Sequence, residues 1–155
     1  MHDEAVLIIE QYKLQETKVL WSMKIYEGSR KNEEGEDENI ILVLCGVGKI
    51  HATFATTYLF ENYRFEKCVN IWVVWNLRPD MIAIGDVVIP NTFLQHDVYI
   101  PEAIDSLKYL REPIFTEYAV GEDYHLEKFQ LHLNGICVTW DQFIDNDDIK
   151  NELVD

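Results

Sequence analysis

Apolar residues along this chain fall in short unbroken runs separated by polar or glycine-bearing turns. The clearest run is 68–74, CVNIWVV. It is followed by the turn Asn76-Leu77-Arg78-Pro79 and a second apolar run at 86–89. Runs of this length and purity predict strands covered on both faces. Another, 40–45 (IILVLC), leads directly into Gly46-Val47-Gly48-Lys49 and then into 50–62. There Ile50, Phe54 and Tyr58 share one helical stripe, with Ala55 and Leu59 on the next. The predicted order is therefore strand, glycine turn, helix. Residues 131–139, LHLNGICVT, predict a further strand, with 140–144 as the loop after it.

The remaining segments are more mixed. Residues 3–14 predict a helix with Asp3 as N-cap, Val6, Ile9 and Lys13 on one stripe and Ala5, Ile8 and Tyr12 beside it. The loose alternation of 17–26 predicts a single strand. Residues 28–39 turn polar, and 29–39 reads as an acidic surface loop, either a hairpin tip or an insert. Residues 92–100 read as an extended segment crossing a sheet edge. Pro101 opens a predicted helix at 102–111, 113–121 reads as irregular, 122–130 as a short helix, and 145–155 as the start of an acidic one. In an open α/β sheet, ligands gather at the carboxyl ends of strands, so a site is expected near 72–76. The turn at 46–49 exposes N–H groups at a helix start. It suits an anion or a polarised hydroxyl, or serves only helix packing. It is no Walker loop, because Val43 and Ile50 stand at deciding positions, and His51 breaks GxGxxG.

Charge narrows the classes. With 13 Lys and Arg against 28 Asp and Glu among 155 residues, the net charge is −15. Nucleic acid and anionic membranes are poor partners for such a surface. The length suits one domain over 1–155. Cys45, Cys68 and Cys137 have neither zinc nor disulfide-framework spacing, so no metal is expected, and buried free thiols in a reducing compartment are. Met1-His2-Asp3-Glu4 is acidic where a secretion signal needs a basic segment, and no apolar run approaches the roughly 18 residues of a membrane span. A cytoplasmic protein is expected.

Cys45-Gly46-Val47-Gly48-Lys49, the segment 70–76, Gly85-Asp86-Val87-Val88, His96-Asp97-Val98-Tyr99 and the segment 139–144 stand in a telling order and spacing. Together they resemble the nucleoside phosphorylase/nucleosidase superfamily, and within it most closely the 5′-methylthioadenosine/S-adenosylhomocysteine nucleosidases. The resemblance covers nearly the whole chain. It implies an α/β fold, a three-layer sandwich around a mixed, partly closed central sheet, assembled as a homodimer. It also implies hydrolysis of a purine nucleoside to release adenine, with no cofactor.

Roles follow from the resemblance position by position. Glu4 falls where the family holds the attacking water. Gly46, Val47 and Gly48 fall on the wall near the nucleophile, and Val73, Val74 and Trp75 on the substrate side of the strand end. Phe143 falls on the aromatic that stacks on the purine, and Ile144 on the residue whose backbone meets the base. Without the resemblance, Glu4 reads as an exposed acid at a helix start and Phe143 as a core aromatic. Val98, Ile100 and Pro101 are implied to lie near the dimer interface. His96 and Asp97 match the pattern, but a lone histidine is more often a hydrogen-bonded structural residue.

N-glycosidic cleavage needs an acid at the purine N7, a carboxylate to hold water and a grip on the ribose hydroxyls. The family takes the acid from a Ser-Asp pair and the grip from a Met-Glu pair, both downstream of the matched segments. The family also runs a first, glycine-containing strand before the position of Met1, so both ends of the chain read as cut, and the chain alone is expected to be a poor catalyst. An open sheet edge would then favour an oligomer. Two alternatives stand beside the nucleosidase: a catalytically inactive remnant acting as a binding or assembly module, and a purine nucleoside phosphorylase. Trp72, Trp75 and Trp140 stand where the family has glycine, with Trp21 a further candidate, and Val73 where many relatives have serine. An indole adds on the order of 200 Å² of apolar surface, so a filled pocket floor is expected unless these are plain core residues.

Overall fold

The computed structural model describes residues 2–95, 110–113, 129–139, 146, 148, 150 and 151. The chain, read above as one domain, divides into two compact units, Met1–Val74 and Trp75–Asp155.

The first unit opens with helix α1 (His2–Tyr12). Lys13 takes a left-handed φ of 51°. Its N–H donates to Glu10 O at 3.2 Å, and the Leu14 N–H donates to Ile9 O at 2.9 Å. This pair of bonds is a Schellman closure, completed by the apolar Leu14, which is buried. Strands β1 (Gln15–Leu20), β2 (Met23–Lys31) and β3 (Asp37–Leu44) follow as an antiparallel sheet in that order. The single strand expected over 17–26 is therefore a hairpin, broken at Trp21-Ser22. The sequence hides this turn because Trp21, not glycine or asparagine, occupies the positive φ of 53°.

The expected acidic loop at 29–39 is mostly strand. Pairing continues to Lys31↔Asp37, which leaves 32–36 as the tip. Asn32 Oδ1 accepts from the Glu34 N–H at 3.1 Å and the Glu36 N–H at 2.8 Å, and Gly35 supplies a φ of 83°. Arg30–Glu38 and Lys31–Asp37 pair across the strands at 2.6 and 2.8 Å. Both pairs are exposed, so they favour this register more than they add stability.

Helix α2 (Lys49–Asn62) supplies the cover for this sheet. Met23 and Ile25 of β2 are fully buried with Ala55 of α2. Leu20, Ile41, Val43, Cys45, Phe54 and Tyr58 close around them. Burial stabilises by about 1.5–3 kcal/mol per large apolar side chain, so this cluster holds the unit together. Ile50, expected on the packing stripe, is 79% exposed.

Residues 68–74 do not form the expected buried strand. They take no regular structure, and Val69, Ile71 and Val73 are exposed. An apolar run records a preference for burial, whereas a strand also needs a partner edge. The β1–β2–β3 sheet is assembled from hairpins local in sequence, and 68–74 joins no ladder among the described residues. Cys68 is accordingly exposed rather than buried, and Cys45 and Cys137 are half-buried; all three thiols are free.

The second unit holds β4 (Val87–Gln95), β5 (Leu110–Pro113) and β6 (Leu131–Thr139) in the order β5-β4-β6. β4 is antiparallel to β5 and parallel to β6, so this sheet is mixed. The strand expected at 86–89 and the start of the extended segment at 92 are one strand. Its register against β6 shifts at Pro90, which has no N–H to donate. β6 has its predicted bounds. The helix expected over 102–111 is not present at its end, since Leu110 and Arg111 pair within β5. Pro113 closes that edge strand, where a missing N–H is tolerated.

The α/β class with a mixed sheet thus holds. The single, partly closed sheet does not: the described strands form two separate three-stranded sheets. His96, Asp97, Val98, Ile100, Pro101 and Trp140 lie outside the described residues.

Candidate functional site

The bend between β3 and α2 is built by its glycines. Gly46 has a φ of 92° and Gly48 a φ of 95°, both in the region that favours glycine. His51 lies against this bend. Its Nδ1 is 2.7 Å from Val47 O, and its ring carbons come within 3.4 Å of where a Gly46 Cβ would sit. Ala52 N–H donates to Gly48 O at 3.1 Å and starts the helix. The conformation itself therefore accounts for both glycines without calling on a ligand.

Glu4, in the opening turn of α1, reaches the far end of the first unit's sequence. Its Oε1 accepts from the Val73 N–H at 3.1 Å, across 69 positions. The contact uses the main chain of residue 73, a residue that is 77% exposed. Two residues expected at one site from separate parts of the sequence thus meet. Nearby in chain order, Tyr63 OH donates to Glu27 Oε1 at 2.9 Å. Burial first, and then that carboxylate, push the phenol up to about 12.

Trp75 begins the second unit and is 68% exposed. The turn after it is organised by Asn76, whose Nδ2 donates to Ile82 O at 2.6 Å and whose Oδ1 accepts from the Arg78 N–H at 2.8 Å. Arg78 grips Asp80 with two nitrogens, at 3.1 and 3.0 Å.

The Gly85-Asp86 segment has a structural account. The Asp86 carboxylate is almost fully covered and accepts three bonds of 2.9 Å, from Ala83 N–H, Gln130 N–H and His132 Nε2. The Gln130 bond foremost, then those from His132 and Ala83, hold its pKa down to about 2. Gly85 has a φ of 98°, and a Cβ there would lie 2.2 Å from the Phe129 ring. The segment fastens the start of β4 to the start of β6. Sequence reasoning missed His132 and Phe129, which stand in no motif.

Phe143 and Ile144 lie outside the described residues. Among the described residues, no group of three or more His, Cys, Asp or Glu is placed to hold a metal ion, and no helix is long and apolar enough to cross a membrane.

A family model described as the phosphorylase superfamily matches residues 1–153. Curated relatives carrying the name 5′-methylthioadenosine/S-adenosylhomocysteine nucleosidase also match. The protein of Tolumonas auensis is 28% identical over 152 residues, covering 93% of this chain and 63% of the relative. That of Buchnera aphidicola subsp. Schizaphis graminum is 31% identical over 140 residues, covering 82% and 54%. That of Oceanobacillus iheyensis is 32% identical over 98 residues, covering 63% and 40%. The chain thus spans less than two thirds of the length of these relatives. No solved structure matches it significantly.

Proposed function

The chain belongs to the phosphorylase superfamily, and from that premise we propose that it is a purine nucleosidase. Its substrate would be 5′-methylthioadenosine or S-adenosylhomocysteine, cleaved by water at the N-glycosidic bond to release adenine. The observation that carries the reading is the Glu4 Oε1 to Val73 N–H contact of 3.1 Å. It sets the carboxylate assigned to the water against the main chain of residue 73, which the resemblance assigns to the substrate.

In this reading Glu4 holds the water and takes its proton as the oxygen bonds to C1′. The C1′–N9 bond breaks with its electron pair leaving on the purine, which is protonated at N7. Gly46, Val47 and Gly48 form the wall beside the water. The resemblance assigns Val73, Val74 and Trp75 to the ribose, and Phe143 and Ile144 to the base. No described residue is assigned as the N7 acid. The working protein is a homodimer with Val98, Ile100 and Pro101 near the interface, and it resides in the cytoplasm.

A binding or assembly module without turnover is the second reading. It is favoured by exposed tryptophans at positions 72 and 75, where the resemblance calls for glycine. Adenine release from methylthioadenosine, with and without phosphate, separates the readings. Phosphate-independent release that falls at least about 100-fold in Glu4→Gln supports the nucleosidase. Release that requires phosphate identifies a phosphorylase. No release, with saturable quenching of tryptophan fluorescence by adenine, identifies the binding module. Neither release nor quenching overturns the purine reading.

A further inference from the structure

We infer that the backbone N–H of Val73 is a positioning group for the Glu4 carboxylate, so that residue 73 acts through its main chain and not through its side chain. The functional meaning of this rests on the nucleosidase reading; the contact itself does not.

The geometry carries the inference. Glu4 Oε1 lies 3.1 Å from Val73 N. The valine side chain is exposed and takes no part in the bond. Residues 68–74 join no ladder among the described residues, so this N–H is not engaged in a sheet. A glutamate side chain has freedom worth about 1.5–2 kcal/mol when unrestrained. A fixed donor on one oxygen limits that freedom and aims the carboxylate. An N–H donor also favours the ionised form, the form a base toward water must have.

The same contact accounts for valine at a position where the resemblance implies serine in many relatives. A donor supplied by the main chain persists whichever side chain stands there, so the hydroxyl is dispensable for holding Glu4. Proline is the exception, because it alone lacks the N–H.

The test compares Val73→Pro, which removes the donor, with Val73→Ala, which keeps it. Titration of the Glu4 carboxyl is followed by carbon NMR in the full chain. The proline variant is expected to shift its midpoint upward by about half a unit to one unit, and the alanine variant to leave it in place. An unmoved midpoint in a folded Val73→Pro, or equal shifts in both variants, overturns the inference. Amide exchange of Val73 serves if the proline variant fails to fold. Glu4→Ala is expected to speed that exchange about fivefold, the loss of one ordinary hydrogen bond, and no change overturns the inference. A positive result here with no adenine release leaves the positioning contact standing and removes the nucleosidase reading. Adenine release without these shifts does the reverse.

Discussion

His132 Nε2 lies 2.9 Å from Asp86 Oδ2, and through this contact two parallel strands are held in step from their first residues. Val87 faces Leu131 and Val88 faces His132 in the ladder that follows. The same carboxylate takes the Gln130 and Ala83 N–H groups. One side chain therefore closes the turn before β4 and fixes where β6 begins.

Acid should weaken this arrangement. The folded-state pKa of Asp86 is held at about 2, below its ordinary 3.8. Folding thus favours the ionised form. The stability it contributes is complete above about pH 4 and is lost as pH falls toward 2. Asp86→Asn should lower the thermal midpoint at pH 7, and the gap from the wild type should narrow below pH 4. A gap that stays constant across that range would contradict the assignment.

Gly85 should tolerate no side chain. Its φ of 98° and the 2.2 Å approach of the Phe129 ring act together. Gly85→Ala is expected to cost about 2–4 kcal/mol in urea denaturation, from backbone strain plus overpacking. Adding Phe129→Ala should recover the overpacking part alone, because the backbone strain remains.

Trp21 presents two opposed effects. Its φ of 53° costs a non-glycine residue about 1–2 kcal/mol. Its indole stacks on Phe54 at 5.2 Å between centroids, worth about 0.5–1.5 kcal/mol. Trp21→Ala loses the stack and keeps the strain, whereas Trp21→Gly loses both. The glycine variant should therefore be the more stable of the two by about 1 kcal/mol, measured by chemical denaturation.

The hairpin tip separates a hydrogen-bonded turn from surface charge. Asn32→Ala removes the acceptor for two backbone N–H groups and should cost about 1–2 kcal/mol. Glu38→Gln breaks the exposed pair with Arg30 and should change stability by less than about 0.5 kcal/mol. Equal effects would mean that the tip is not held by Asn32.

Much of the first unit was legible because its signals are local. The amphipathic stripe of α1, the helical spacing of Phe54, Ala55 and Tyr58 in α2, the apolar run of β3 and the paired glycines between β3 and α2 each act within a few residues. The turn at Trp21-Ser22 was not, because it carries a residue that turn chemistry disfavours. The resemblance alone offered a hint, in naming Trp21 a candidate glycine position. Of the candidate site, Glu4 was marked by the resemblance, but nothing in the sequence indicated that its partner would be a backbone N–H. His132 and Phe129 escaped notice because each acts only through a contact across the fold, 46 positions away in the case of His132 and Asp86.

By itself the sequence determined the α/β class, the strand–glycine turn–helix unit, the bounds of β6 and the family resemblance, since these depend on periodicity, backbone conformation and motif spacing. Only the tertiary structure decided that 17–26 folds back on itself, that 68–74 lies exposed outside any ladder, and that Asp86 serves as a fastening for two strands. The physical reason is common to all three. Pairing and hydrogen-bond satisfaction depend on which partner arrives, and a partner distant in sequence leaves no periodic trace in the residues that will meet it.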